Sequence, residues 1–100
     1  MSQPKAYVIA EIEVHDPAAY EGYKAAAAPL IAKYGGRYLV GGGDAEAAEG
    51  DAPKGRVILL EFPDMAAAKA FLEADEYQPI AEIRHKSANS RLILAEGIAP

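Results

Sequence analysis

The sequence predicts an α+β fold of order β-α-β-β-α-β. A four-stranded antiparallel sheet carries two main helices on one face, with an extra short helix before the last strand. Two observations carry this reading. The run Ala6-Tyr-Val-Ile-Ala-Glu-Ile-Glu-Val14 leads straight into a helix start at Asp16-Pro17, and Arg56-Val-Ile-Leu-Leu-Glu-Phe62 leads into a second start at Pro63-Asp64. A strand followed at once by a capped helix, twice in 100 residues, marks a duplicated βαβ-type unit.

Residues 5–14 alternate in character. Ala6, Val8, Ala10, Ile12 and Val14 form one uncharged face, and Tyr7, Ile9, Glu11 and Glu13 form the other. Asp16 is placed to cap a helix whose first position takes Pro17. Tyr20, Tyr23, Ala27, Leu30, Ile31 and Tyr34 then recur at helical spacing until Gly35-Gly36 ends the helix. Pro29 falls inside it and predicts a kink or break near residues 25–28. Arg37-Tyr-Leu-Val40 reads as the second strand, and Gly41-Gly-Gly43 as a bulge or bend after it. Residues 44–49 are expected to continue that strand irregularly, with a turn at Gly50-Asp51.

Arg56 to Phe62 forms the third strand. Asp64 caps a helix through about residue 74, with Met65, Ala68, Phe71 and Leu72 on its inner stripe. Asp75-Glu-Tyr-Gln78 has the pattern of a capping box, opening a short helix that holds Tyr77, Ile80, Ile83 and Arg84. Residues 90–97 form the last strand. The order is the ferredoxin-like arrangement. It is read as one domain over residues 1–100, with an ordered core over residues 5–97.

Composition narrows the function classes. The apolar fraction is 51% and the charged fraction 25%, which is ordinary globular composition. A formal net charge of −5 argues against nucleic acid, whose binding needs a basic face. There is no cysteine, so no disulfide, no thiolate nucleophile and no Cys-based metal site is expected. The two histidines are far apart and form no metal-ligand spacing. No apolar signal core follows Met1-Ser-Gln-Pro-Lys5, and no apolar run is long enough to span a bilayer, so a cytoplasmic location with no membrane partner is expected.

Both sheet faces are partly apolar. Ile58, Leu60 and Phe62 oppose Val57 and Leu59 on strand three, and Ile93 and Ala95 oppose Leu92 and Leu94 on strand four. Two helices cover one face only. The uncovered apolar surface predicts a homodimer packed through the sheet faces.

The chain resembles the domain of unknown function 1330 family of the dimeric α+β barrel superfamily. The resemblance rests on AYVIAEIEVHDPAAYEGYKAAAAP, YGGRYLVGGG, EGD, LEFPD with its Ala-rich helix, DEYQPI and SRLILAEG, in that order over almost the whole chain. It implies two ferredoxin-like sheets packed into a barrel and no established activity. The wider superfamily includes cofactor-free monooxygenases, lactone isomerases and haem enzymes. Relatives often carry a large aromatic where this chain has Ala52, and bulkier residues at positions 45–48, which implies a lighter edge here.

The candidate site follows from topology. With strands one and three expected to run parallel, their C-terminal ends bring His15 and Glu61 to one edge. Strands two and four then bring Arg37 and Arg91 to the same edge, beside the two helix N-termini. His15 or Glu61 is the candidate base, and Arg37 or Arg91 the anion clamp. Tyr20, Tyr77 and Arg84 are further candidate ligand-binding residues. No metal or cofactor is expected: Gly41-Gly-Gly43 lacks the phosphate-loop pattern, and His85 alone offers only a weak axial ligand for haem. The structural reading of the charged cluster is a set of cross-strand ion pairs. Two functions therefore stand side by side. One is a cofactor-independent enzyme acting on a small, partly apolar anion by acid–base chemistry or oxygen insertion. The other is a non-catalytic small-molecule-binding or structural dimer.

Overall fold

The computed structural model describes residues 3–100. Its elements run β1 (Ala6–Val14), α1 (Pro17–Lys33), β2 (Arg37–Gly41), β3 (Arg56–Phe62), α2 (Met65–Glu73), α3 (Gln78–Ser87) and β4 (Ala88–Glu96). The strands lie in the order β2-β3-β1-β4, and every neighbouring pair is antiparallel. This is the ferredoxin-like arrangement with the extra helix in its expected place.

Local chemistry sets the boundaries. Asp16 Oδ1 accepts from the Ala19 N–H at 3.2 Å and Asp64 Oδ1 from the Ala67 N–H at 2.8 Å, so both predicted caps form. At the end of α1 the Gly36 N–H reaches the Ile31 carbonyl and the Gly35 N–H that of Ala32, the paired bonds of a Schellman closure. Gly35 takes the left-handed φ of +84° this requires. A side chain at Gly36 would collide with the Phe62 ring, its Cβ only 2.6 Å from the nearest ring carbon.

Three local expectations are corrected. The break that Pro29 predicted is absent, since helix α1 continues through it. The missing N–H costs one backbone bond, but residues on both sides of it, Ala27, Leu30 and Ile31, are anchored in the core. The capping box at residues 75–78 does not form. Instead the Gln78 side chain donates to the Leu72 and Ala74 carbonyls at 3.1 Å each, closing α2 rather than opening α3. Residues 44–49 do not extend β2, which ends at Gly41. The β2–β3 pairing contains one irregularity: Tyr38 faces Leu60 and Val40 faces Leu59, so Leu39 bulges.

The helices cover the face made by Ala6, Val8, Ala10 and Ile12 of β1 with Leu60 and Phe62 of β3, all buried. Phe71 of α2 and Tyr77 complete an aromatic stack, with ring centroids 5.6 Å from Phe62 to Phe71 and 4.4 Å from Phe71 to Tyr77. Helix α1 packs chiefly on α3, leaving space between itself and the sheet. The opposite face carries Ile9, Val57, Leu59, Ile93 and Ala95 with no element over it, and Ile93 is 42% exposed. Among the described residues no helix is long and apolar enough to cross a membrane.

Candidate functional site

The expected charged cluster is dispersed because β1 and β3 run antiparallel. Glu61 pairs across from Tyr7, whereas His15 lies beyond Val14 at the other end of β1. Eight residues of strand separate the two levels, roughly 26 Å. Each helical crossover returns the chain parallel to the strand it left, so β1 and β2 share one direction and β3 and β4 the other. Arg37 therefore joins Glu61, its Nε donating to Glu61 Oε1 at 2.9 Å, while the Tyr7 hydroxyl donates to Oε2 at 3.3 Å. Arg91 pairs with Glu11 across β1–β4, and Glu11 also accepts from the Lys54 N–H at 3.0 Å. These bonds hold the Glu11 carboxyl below its usual pKa, the Lys54 N–H contributing most. His15 is exposed, with its backbone N–H on the Ser87 carbonyl. The helix N-termini also lie at opposite ends. Cross-strand pairing thus accounts for Arg37, Glu61 and Arg91.

The other three candidates come together beneath the helices. Tyr20, Tyr77 and Arg84 line a cavity of about 290 Å³ between α1 and the sheet. Its floor is Val8, Ala10 and Ile12 of β1 with Ile58 and Leu60 of β3 and Leu92 of β4. The exposed lining residues, Lys24 and Ala28 of α1 and Tyr38 and Gly41 of β2, mark the mouth. Small side chains create the space: Ala10 and Ala28 stand where larger residues would fill it.

The chemistry of this cavity is one-sided. Its lining includes Arg84, Arg56 and Lys24 and no Asp or Glu, in a chain whose acids outnumber its bases 15 to 10. Arg84 is only 6% exposed. Its guanidinium donates to Ser90 Oγ at 2.5 Å and lies 5.6 Å from the Tyr23 ring centroid. Its Nε is buried with no hydrogen-bond partner among the described residues. Burial disfavours its charge; its pKa is raised through Tyr77 and Tyr23, which carry charge only once they ionise in the alkaline range. Arg56 lies 5.1 Å from the Tyr20 ring centroid. The Tyr23 and Tyr77 hydroxyls bond each other at 2.8 Å. Burial, reinforced by Tyr77, drives the Tyr23 pKa well above the ordinary phenol range, so its hydroxyl keeps its proton.

Sequence reasoning missed Tyr23 and Arg56 as site residues. Both signals were in the chain. Arg56 shares the inward register with Ile58, Leu60 and Phe62, and Arg84 shares the helical stripe of Tyr77, Ile80 and Ala81.

Solved structures share this architecture. A protein of unknown function from Rhodopseudomonas palustris superposes with a TM-score of 0.77 at 20% identity, covering 98% of this chain and 85% of that one. SnoaB from Streptomyces nogalater, a cofactor-independent oxygenase, gives 0.62 at 17% identity, covering 97% and 96%. A protein of unknown function from Bacteroides thetaiotaomicron, described as a possible oxidoreductase, gives 0.59 at 15%, covering 95% and 99%. Such identities show the shared ferredoxin-like α+β fold and nothing finer. No curated protein matches the chain in sequence. The family match spans nearly the whole chain: residues 5–98 fit the Domain of unknown function (DUF1330), and the protein belongs to that family.

Proposed function

We propose that this protein captures a small, partly apolar anion in the cavity between α1 and the sheet, and that it works as a homodimer joined through its open sheet faces. The observation that carries the reading is Arg84, a buried cation with an unpartnered Nε in a cavity free of carboxylates. An unpaired buried charge is costly, and an arriving anion removes that cost. Lys24 and Arg56 draw anions toward the mouth. The dimer is supported by the uncovered Ile9, Leu59 and Ile93, an apolar centre flanked by the Arg37–Glu61 and Arg91–Glu11 pairs. With a net charge of −5, a nucleic-acid partner is not proposed.

Binding is favoured over proton abstraction because neither His15 nor Glu61 lines the cavity, and its Tyr23 hydroxyl holds its proton. One observation keeps an enzymatic reading in view. The fold is shared with the cofactor-independent oxygenase SnoaB, and an apolar chamber with a cationic anchor suits an electron-rich anion awaiting oxygen.

Native mass spectrometry of gently purified protein tests the binding reading. A dimer with a reproducible added mass that disappears in Arg84→Met supports it. Retained mass in that variant refutes the assigned anchor. Oxygen uptake with the released ligand added back separates oxygenase from carrier.

A further inference from the structure

Resting on the reading of the cavity as an anion site, we infer the ligand class: a monocarboxylate with a flat aryl or alkenyl body, its oxygens held by the Arg84 guanidinium and by one hydroxyl of the Tyr23–Tyr77 pair. A guanidinium has only donors, and a hydroxyl has a single proton. Arg84 spends one donor on Ser90 Oγ, while its Nε–H is buried and unused. Between Tyr23 and Tyr77 lies one hydrogen bond, so one proton serves it and the second hydroxyl proton points elsewhere. Beyond the neighbouring Arg84 guanidinium, which can only donate, neither hydroxyl has another hydrogen-bond partner among the described residues. Two donors are therefore left over at this end of the cavity, and no carboxylate lines it to receive them.

A carboxylate supplies two acceptor oxygens in one plane with a single charge, which suits a planar guanidinium and a neighbouring phenol. A phosphate monoester brings three free oxygens and close to a second charge. Val8, Ala10, Ile58 and Leu92 offer these no donors, so they would be desolvated without compensation.

Volume sets the size of the body. A cavity of about 150 Å³ accommodates one benzene. The 290 Å³ here admits nearly twice that, roughly a dozen non-hydrogen atoms including the carboxylate. The aromatic walls, Tyr20, Tyr23, Phe71 and Tyr77, favour a flat body over a branched one.

Calorimetric titration of the whole protein with three size-matched probes tests this: 3-phenylpropanoate, its neutral amide, and phenyl phosphate. The expected result is that the carboxylate binds at least about tenfold more tightly than either of the others. Arg84→Met is expected to abolish that preference, and Tyr23→Phe with Tyr77→Phe together to reduce it severalfold, with melting followed as the control for folding. If Arg84→Met does not fold, Ala28→Phe, at the exposed mouth, is expected to block entry while leaving the anchor intact. Phenyl phosphate binding as well as the carboxylate overturns the carboxylate assignment and leaves the anion site standing. Equal binding of the amide, or no binding by either anion, overturns the anion site itself. Binding unchanged in both Arg84→Met and Ala28→Phe places the ligand elsewhere and overturns the inference.

Discussion

The two faces of the sheet treat arginine in opposite ways. On the open face Arg37 has Glu61 and Arg91 has Glu11, each a cross-strand ion pair with the arginine side chain largely exposed. Under the helices Arg84 and Arg56 lie against tyrosine rings, and no carboxylate lines the cavity they share. Acid is not scarce in this chain, so its absence from the cavity is a property of that face. Exposed pairs in water contribute little, whereas a buried cation without an anion destabilises the protein that carries it. The open face is built from neutralised charge around an apolar centre, which suits contact with another sheet. The covered face stores an unsatisfied charge, which suits a ligand.

The largest effect is expected from Arg84→Met. If Arg84 is held for a ligand, its replacement by an apolar side chain of similar length stabilises the ligand-free protein by about 1–3 kcal/mol while ligand binding is lost. Denaturant unfolding and calorimetry on the same samples read both effects, and a destabilised variant would make Arg84 structural. Next in size is the open face. Ile93→Glu sets a carboxylate opposite Ile9 in the centre of the uncovered patch and is expected to weaken self-association more than tenfold in sedimentation. Unchanged mass would remove the proposed interface.

A smaller effect tests the hydroxyl pair. The fold favours the neutral Tyr23 phenol, because its pKa is raised. That stability is present in full below about pH 10, the unfolded phenol's pKa, and is lost as the pH rises from there toward the folded value. Urea midpoints are expected to fall as the pH passes 10, and less steeply in Tyr23→Phe. The smallest effect belongs to Glu61→Gln. Breaking the pair with Arg37 is expected to cost at most about 1 kcal/mol, less at high salt, with ligand affinity unchanged. A loss of binding there would return Glu61 to the site.

How far the sequence could be read differs between the fold and the site. Strand alternation, the Asp16 and Asp64 caps and the Gly35-Gly36 stop act within one turn or one strand, so the chain displays them directly. The cavity residues are spread over α1, β3 and α3, and only packing brings Tyr23, Arg56 and Arg84 together. Tyr20, Tyr77 and Arg84 were legible as candidates, but the hydroxyl pairing that makes Tyr23 part of the set spans 54 residues.

By itself the sequence determined the elements, their order, and a sheet apolar on both faces, because each follows from local propensity and periodicity. Only the tertiary structure decided which charges meet. Strand direction is a global property, set when two interleaved crossovers bury their apolar faces together. That choice sent His15 and Glu61 to opposite ends of the sheet and enclosed Arg84 among tyrosines.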